Sequence, residues 1–131
     1  MQKIMQNNCA VFRTTEVLAE GVKLIQGAAA SLQDVRVSDS SLVWNSDLIE
    51  ALELENLMAQ AVVSMTSAEA RHESRGAHAH ENYPDRDDKN WMKHTVASVD
   101  DRYNVKLDYR PVHMNTLTDE VEVIPPKVRV Y

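Results

Sequence analysis

The sequence predicts an α+β fold that is mainly α: an antiparallel three-helix bundle, then a long loop, a small β-hairpin and an extended C-terminal tail. Apolar residues recur at helical spacing through the first 71 residues, and they alternate with polar ones near residues 103–109. The length of 131 residues suits one modest domain. Only 5% of residues are aromatic, so the core must be largely aliphatic, which favours helix packing.

The first predicted helix runs to Phe12, because Ile4, Met5, Cys9 and Phe12 follow a helical spacing. No N-terminal cap precedes it, so it resembles a helix entered midway. We therefore expect that a longer chain precedes this segment.

A second helix is predicted to follow Thr14 or Thr15, either of which can serve as its N-cap. Gly21 and Gly27 lower its stability by about 1 kcal/mol each relative to Ala, and we expect both to permit close approach of a neighbouring helix. The predicted buried face consists of residues spaced by three or four: Leu18, Val22, Ile25, Ala29 and Leu32.

The third predicted helix is the longest and runs from Asn45-Ser46-Asp47 to about Arg71. Asp47 with Glu50 matches a capping box. The acidic residues of this helix are interpreted as a solvated face or, alternatively, as a surface for a basic partner. Its predicted apolar stripe contains Leu48, Leu52, Met58, Ala61, Val62 and Met65.

A long segment without helical or alternating period follows, from His72 to Trp91. Such a connection is uncommon in a compact domain unless it has a role. Between Arg71 and His94 there are five acidic residues, five basic residues and four histidines, a balance that favours specific ion pairing. We therefore divide the chain into a helical domain (residues 1–71), a charge-balanced docking loop (72–94) and a small C-terminal domain (95–131).

The C-terminal domain is predicted to contain a hairpin with strands at residues 95–99 and 103–109, joined by a turn at Asp100-Asp101-Arg102. Within residues 103–109, Tyr103 and every second residue after it are apolar. The tail contains Pro111 and Pro125-Pro126, which exclude helix and central strand. Its apolar residues require covering: Val121, Val123, Ile124, Val128 and Val130.

Charge and composition exclude several functions. The net charge of −6 and the absence of a Lys/Arg run argue against nucleic-acid binding. Cys9 is the only cysteine, which fits a reducing compartment. No apolar run approaches the ~20 residues of a transmembrane helix, and the start lacks the apolar core of a signal peptide. The sequence thus predicts a soluble chain, whose uncovered apolar faces can cause self-association.

One candidate for chemistry is a metal site at His78 and His80, with Glu81 and Asp85 nearby. These are ligand types that divalent ions accept. No CxxC or HExxH pattern accompanies them, and loop histidines more often cap or pair with carboxylates. Both interpretations stay open from the residues alone.

A second candidate is the group of Glu73, Arg75 and His78, which could act as an acid, a charge clamp and a base. The same residues suit a buried ion-pair network at a domain interface, with Gly76 allowing a partner to approach closely. The chain has no nucleophile elbow, phosphate-binding loop or dinucleotide fingerprint, because these need glycine patterns that three glycines do not supply.

The run ARHESRGAHAHENYPDRDDKNWMKHT, residues 70–95, resembles a signature in the C-terminal region of succinate dehydrogenase and fumarate reductase flavoprotein subunits. The segments MQKIMQNNCAVFRT, WNSDLIEALELENLM, YRPVHMNTL and IPPKVRVY extend this resemblance over essentially the whole chain. The sequence departs from the family pattern at His80 and Asn82, where members commonly have Arg and Asp.

The resemblance implies a parent subunit that oxidises succinate to fumarate through FAD and passes electrons to an iron–sulfur subunit and quinone, in the tricarboxylic acid cycle and respiratory chain. It implies a peripheral location on the cytoplasmic face of a bacterial inner membrane or the matrix side of the mitochondrial one. The flavin and substrate residues of that family lie upstream of the matched region. We therefore expect no catalytic, cofactor-binding or metal-binding residue in this chain, which would be an inactive C-terminal fragment.

The residues that align with the family motif are interpreted as a docking surface for the flavin-binding and capping domains of the same subunit. They are Arg71, Glu73, Ser74, Arg75, Gly76, Ala77 and His78. Two other interpretations remain: a free-standing helical interaction module, and a small metal-dependent enzyme that uses His78 and His80.

Overall fold

A computed structural model describes residues 1–127, in which three helices precede a two-stranded antiparallel sheet. The elements are α1 (Gln2–Asn8), α2 (Thr15–Ala30), α3 (Ser46–Ala70), β1 (Lys93–Val99) and β2 (Val105–Pro111), with a short 3-10 helix (Ser31–Asp34) after α2. The predicted α+β class with mainly helical content is therefore confirmed. The division into three domains stays a prediction.

The core lies where α2 packs against α3, and α1 and the sheet pack beside it. Burying these aliphatic side chains is the main favourable contribution to folding. The predicted buried face of α2 is present. The core residues are Leu18, Ile25, Ala29, Met58, Ala61, Val62, Met65 and Ala68.

Helix α1 ends at Asn8, so the predicted extension to Phe12 is wrong. The Arg13 side chain donates hydrogen bonds to the Cys9 and Ala10 carbonyl oxygens. The carbonyl oxygens of Cys9 and Ala10 therefore bond to the Arg13 side chain and not to later N–H groups of a longer helix. Phe12 is left 75% exposed.

Gly21 lies where the three helices meet. A Cβ atom at this position would lie 2.6 Å from Met65 Sδ on α3 and 2.7 Å from Asn8 Cβ on α1. Only a residue without a side chain allows this approach. The same expectation for Gly27 is wrong, because a Cβ atom there would meet nothing within 4 Å.

Helix α3 begins one residue after Asn45, whose side-chain oxygen accepts a hydrogen bond from the Leu48 N–H at 2.9 Å. The predicted capping box at Asp47 and Glu50 is therefore wrong. Asp47 instead accepts hydrogen bonds from the backbone N–H groups of Asp39 and Ser38 and from the Ser38 hydroxyl, and these bonds lower its pKa. The carboxylate thus ties the preceding loop to the helix start.

The apolar stripe of α3 is buried only in its C-terminal half. Leu52 is 55% exposed, contrary to its predicted place in the core, and Leu48 is half-buried. Trp44, just before the helix, is 97% exposed and lies beside Leu42 and Ile49 in an open apolar groove. The N-terminal half of α3 therefore presents apolar surface to solvent.

The hairpin pairs Lys93 with Pro111 at one end and Val99 with Val105 at the other. Its turn is longer than predicted because Asp100 accepts hydrogen bonds from the backbone N–H groups of Arg102 and Asn104. Tyr103 lies in the left-handed region, with φ of 61°. The prediction that Tyr103 begins the second strand is therefore wrong.

Residues 112–127 form neither helix nor strand. Of the apolar tail residues, Val121 is 61% and Ile124 is 80% exposed, while Val128 and Val130 lie outside the described residues. The Lys127 carbonyl oxygen accepts a hydrogen bond from Arg86, which joins this end of the tail to the loop. Within residues 1–127, no helix is both long and apolar enough to cross a membrane.

We predict that Gly21→Ala lowers the free energy of unfolding by about 1–3 kcal/mol, because the new methyl group overlaps Asn8 Cβ near the backbone of α1. Gly27→Ala is the matched control. It should raise the free energy of unfolding by about 0.5–1 kcal/mol, because Ala favours the helix and its methyl group meets open space. Urea unfolding followed by circular dichroism measures both, and equal effects would contradict the packing role of Gly21.

Candidate functional site

The candidate site is built around Glu73, whose side chain is fully buried. Its Oε1 accepts hydrogen bonds from Arg71 Nη1 at 2.6 Å and Arg75 Nε at 2.8 Å. Its Oε2 accepts from Arg75 Nη2 at 3.0 Å and from the Asp87 backbone N–H at 2.9 Å. Burial by itself raises the pKa of Glu73, but the bonds from Arg75, Asp87 and Arg71 outweigh it and lower the pKa. The carboxylate is therefore ionised and saturated with donors.

Arg71 connects the end of α3 to the start of the sheet. Besides Glu73, its guanidinium donates to the Trp91 carbonyl oxygen at 3.2 Å, to the Lys93 carbonyl oxygen at 2.7 Å and to Thr95 Oγ1 at 2.9 Å. Its Cζ lies 5.1 Å from the centroid of the Trp91 ring. One side chain thus fixes where β1 begins.

Arg75 extends the ion pairing to the surface. Its Nη2 lies 2.7 Å from Asp88 Oδ1, which also accepts from Arg86 Nε at 2.9 Å. The hydrogen bonds from Arg75 and Arg86 lower the pKa of Asp88. We call Arg71, Glu73, Arg75, Arg86 and Asp88 the Glu73 network. The ion pairing predicted from the charge balance of the loop is present.

The chain reverses direction after Arg75 in a tight two-residue turn. Arg75 and His78 exchange two backbone hydrogen bonds, at 2.9 and 3.0 Å. Gly76 takes φ of 59° at the first central position, which is typical of a type II′ turn and strained for other residues. Gly76 and Ala77 are both exposed, and a Cβ atom at Gly76 would meet nothing within 4 Å. The turn is thus a fixed projection with open space around it.

Ser74 holds the two arms of the loop together. Its hydroxyl accepts a hydrogen bond from the His80 backbone N–H at 2.8 Å and donates to the Tyr83 carbonyl oxygen at 2.8 Å. The Ser74 backbone N–H donates to the Asp85 carbonyl oxygen. These bonds replace the regular secondary structure that the loop lacks.

His78 lies between Arg13 and Arg71. A guanidinium only donates, so the 2.7 Å contact with Arg13 Nη1 makes His78 Nδ1 an acceptor and assigns the proton to Nε2. The Nε2–H then donates to the Arg71 carbonyl oxygen at 2.9 Å. Burial, together with the charge of Arg13, lowers the pKa of His78. The imidazole is therefore neutral and fully engaged.

His80 is 1% exposed, and neither ring nitrogen has a hydrogen-bond partner among residues 1–127. Its ring centroid lies 4.8 Å from that of Tyr83, 5.9 Å from that of His78 and 6.5 Å from that of His72. Burial, followed by the proximity of His72, lowers the pKa of His80. The side chain thus packs as an apolar ring.

The metal alternative lacks a matching geometry in the described part of the chain. Within residues 1–127, no group of three or more His, Cys, Asp or Glu residues is placed to hold a metal ion. Glu81 and Asp85 are both exposed, whereas His80 is buried. The side chains of His80, Glu81 and Asp85 therefore do not converge on one point.

Asn82, the second departure from the family pattern, bonds to the N-terminus of α2. Its Oδ1 accepts a hydrogen bond from the Thr15 backbone N–H at 2.9 Å, while Thr14 Oγ1 accepts from Val17. The Glu81 backbone N–H also donates to the Arg13 carbonyl oxygen at 2.8 Å. An amide oxygen here serves as an acceptor for an N–H that helix geometry leaves unpaired.

The structure brings Arg71, Glu73 and Arg75 into one network and places Ser74, Gly76 and His78 around it. Sequence reasoning missed Arg13, which contacts His78 across 65 residues of chain. Its position directly before the Thr14 cap, inside a segment that resembles the family, was the only available signal. The acid, clamp and base alternative is not supported, because Glu73 and His78 already use their proton-accepting atoms within the chain.

We predict that Glu73→Gln lowers the free energy of unfolding by about 3 kcal/mol, because it removes the charge that compensates two partly buried guanidinium groups. Glu81→Gln is the control, since Glu81 is exposed and forms no ion pair among residues 1–127. Urea titration at neutral pH measures both variants. A loss below about 1 kcal/mol for Glu73→Gln would show that the network contributes no more than surface pairs do.

We also predict that the free energy of unfolding falls as the pH is lowered from about 7.5 to about 5.5. The pKa values of His78 and His80 are lowered in the folded chain from 6.5, so the unfolded chain takes up protons that the folded chain does not. The stability contribution is thus complete above the unfolded pKa and decreases below it.

His80→Leu should reduce this pH dependence at little cost in stability at neutral pH, because the imidazole nitrogens make no hydrogen bond. His113→Leu is the control, since His113 is exposed. Denaturation curves at several pH values compare the slopes. An unchanged slope in His80→Leu would contradict the assignment.

Comparison with known proteins identifies the family. The family described as "Fumarate reductase flavoprotein C-term" matches residues 1–131. The succinate dehydrogenase flavoprotein subunit of Rickettsia bellii is 57% identical over 131 residues, which cover 100% of this chain and 22% of that protein. The mitochondrial succinate dehydrogenase flavoprotein subunit of Oryza sativa subsp. japonica is 61% identical, with coverage of 100% and 21%.

The fold is similar to that of a solved structure of E. coli quinol fumarate reductase, with a TM-score of 0.82 and 35% identity. The similarity covers 88% of this chain and 20% of that one. The chain thus spans about a fifth of the length of the curated relatives it matches. The chain belongs to the family of the C-terminal region of fumarate reductase and succinate dehydrogenase flavoprotein subunits.

Proposed function

We propose that this chain is the C-terminal structural region of a succinate dehydrogenase flavoprotein subunit. The observation that supports this best is the match of all 131 residues to a single family, with relatives named as such subunits. The proposed parent oxidises succinate to fumarate through FAD and delivers electrons to an iron–sulfur subunit and quinone. It is peripheral to a bacterial inner membrane or to the matrix side of the mitochondrial inner membrane.

FAD in this proposal is bound by the parent's flavin domain, since the residues present here do not fit it. A dinucleotide needs glycines in a loop that leads into a helix N-terminus. Gly21 is packed among three helices, Gly27 lies within α2 and Gly76 forms a two-residue turn. No glycine therefore lies in a phosphate-binding loop, and this region has a structural role.

The proposed role of the Glu73 network is to hold the turn at Gly76 and Ala77 in one shape for docking against the flavin-binding and capping domains. Three features support this. The turn projects with open space around it, its base is fixed by Arg75 and His78, and the loop is joined to α3 through Arg71 and Glu73. A projection with a fixed shape loses little entropy when it docks.

A second surface, near Trp44, also supports the proposal that other domains of the parent subunit pack against this chain. Trp44 and Leu42 are 97% and 91% exposed, and Ile49, which lines the same groove, is 54% exposed. A contiguous apolar patch of this kind usually marks an interaction surface. In the proposed parent it is covered by protein, and in the chain alone we propose that it promotes self-association.

We predict that Ala77→Glu in a full-length subunit lowers flavin retention or assembly with the iron–sulfur subunit, because it places a large charged side chain on the docking turn. The 131-residue chain by itself should show no flavin absorbance and no succinate oxidation. Flavin absorbance per protein after gel filtration, and co-purification of the iron–sulfur subunit, measure the effect.

Two further variants separate docking from folding. Arg75→Ala should give the same loss, because it removes the ion pairs with Glu73 and Asp88 that hold the turn in place. Ser40→Glu, at an exposed loop position, should give none. The Ala77→Glu chain should unfold as the unsubstituted chain does, because Ala77 is exposed. Full flavin content and assembly in both Ala77→Glu and Arg75→Ala would contradict the docking role, and turnover by the chain alone would contradict the structural role.

A further inference from the structure

An open cleft of about 650 Å³ lies between the α1–α2 connection, the C-terminal end of α3 and strand β1. Arg71, Arg75 and His78 contribute to its wall, but the docking role proposed above does not use the cavity itself. Its wall is partly apolar, with Ala68, Trp91, Met92 and Val112, and its ionisable side chains are all cationic or neutral at physiological pH. Those side chains are Cys9, Arg13, Arg71, Arg75, His78, Lys93 and His94.

No carboxylate lines this cleft in the described part of the chain, although the protein has a net charge of −6. Four permanent cations therefore border one cavity of an acidic protein. Because part of the wall is apolar, the fields of these cations are screened less than those of isolated charges on a flat surface. The cleft is an electropositive concavity.

The nearby carboxylates do not balance these cations. Arg71 and Arg75 share the single charge of Glu73, and Arg75 shares Asp88 with Arg86. Arg13 has no carboxylate within ion-pair distance among residues 1–127, and it donates to two carbonyl oxygens and to His78 instead. The Lys93 ammonium lies over the Trp91 and Tyr109 rings, at 4.7 and 4.2 Å from their centroids. An unneutralised positive charge remains around the cleft.

Donors also remain available. Arg75 Nη1 and Arg71 Nε make no hydrogen bond within the described residues. Arg13 Nη1 and Nη2 each use only one of their two N–H groups. The Lys93 ammonium lies over two aromatic rings and makes no ion pair there. The guanidinium groups are held in place by their other bonds, so an incoming anion would meet donors that are already oriented. Guanidinium donors match the geometry of carboxylate and phosphate oxygens.

We propose that this cleft binds a small oxyanion, a carboxylate or phosphate compound, between Arg13, Arg75 and Lys93. The anion supplies the negative charge that the surrounding residues lack, and Met92 and Val112 form an apolar part of the wall. Its binding is electrostatic and weakens as the salt concentration rises.

Titration of the 131-residue chain with citrate and with inorganic phosphate, followed by amide NMR shifts, tests this proposal. Either anion should give saturable shifts at lining residues such as Met92 and Thr95, beyond those caused by sodium chloride at the same ionic strength. Preference for citrate would identify a carboxylate ligand, and preference for phosphate a phosphorylated one.

Lys93→Gln should weaken binding about tenfold, because it removes one charge-assisted contact. Lys106→Gln, on the exposed face of β2, is the matched control and should bind as the unsubstituted chain does. Lys93 makes no side-chain hydrogen bond among residues 1–127, so its replacement should preserve the fold.

Arg13→Gln should also weaken anion binding at least tenfold, and a thermal melt shows whether this variant is folded. If Arg13→Gln does not fold, the comparison of Lys93→Gln with Lys106→Gln tests the proposal. Equal affinity in Lys93→Gln and Lys106→Gln would overturn the proposal. Shifts that do not saturate, or that sodium chloride reproduces, would overturn it as well.

Discussion

The buried carboxylate of Glu73 is the constraint on which the C-terminal half of the structure depends. Removing an ionised carboxylate from water costs several kcal/mol unless charged donors replace the water. Here the donors come from three places in the chain: the end of α3 through Arg71, the loop turn through Arg75, and the backbone at Asp87. The buried charge is therefore tolerated only when these three segments come together. The carboxylate thus determines how the segments are arranged and also contributes to stability.

The arrangement explains how a segment of about 20 residues without regular structure holds one shape. Its backbone groups bond to side chains and to other segments. The backbones of His80 and Tyr83 bond to the Ser74 hydroxyl, and the Glu81 backbone N–H bonds to the Arg13 carbonyl oxygen. Arg71 also connects the loop to the sheet, because its guanidinium donates a hydrogen bond to the carbonyl oxygen of Lys93, the first residue of β1. The helices, the loop and the hairpin are thus joined by polar contacts at the point where the apolar core of α2 and α3 ends.

The helices were predictable because their signals are local. Apolar periodicity placed α2 and α3, and the charge balance of residues 71–94 indicated ion pairing before any partner was known. Errors arose where two local signals compete, as at Asn45 and Asp47, which are both good caps. The roles of Gly21 and Gly27 could not be separated, because identical residues in one helix differ only in what another helix places opposite them. The contact between Arg13 and His78 joins residues 65 positions apart, so no local sequence pattern could predict it.

Arg75 belongs both to the base of the turn at Gly76 and Ala77, which we propose for docking, and to the wall of the electropositive cleft. A partner domain that shifts the turn would therefore shift a donor of the cleft, and an anion bound to Arg75 would compete with Glu73 and Asp88 for its guanidinium. Linkage requires such an effect to be reciprocal: docking changes the anion affinity by the same factor by which the anion changes docking. Because His78 connects Arg13 to the Arg71 carbonyl oxygen, the α1–α2 connection takes part in this coupling, although it lies about 60 residues away in the sequence.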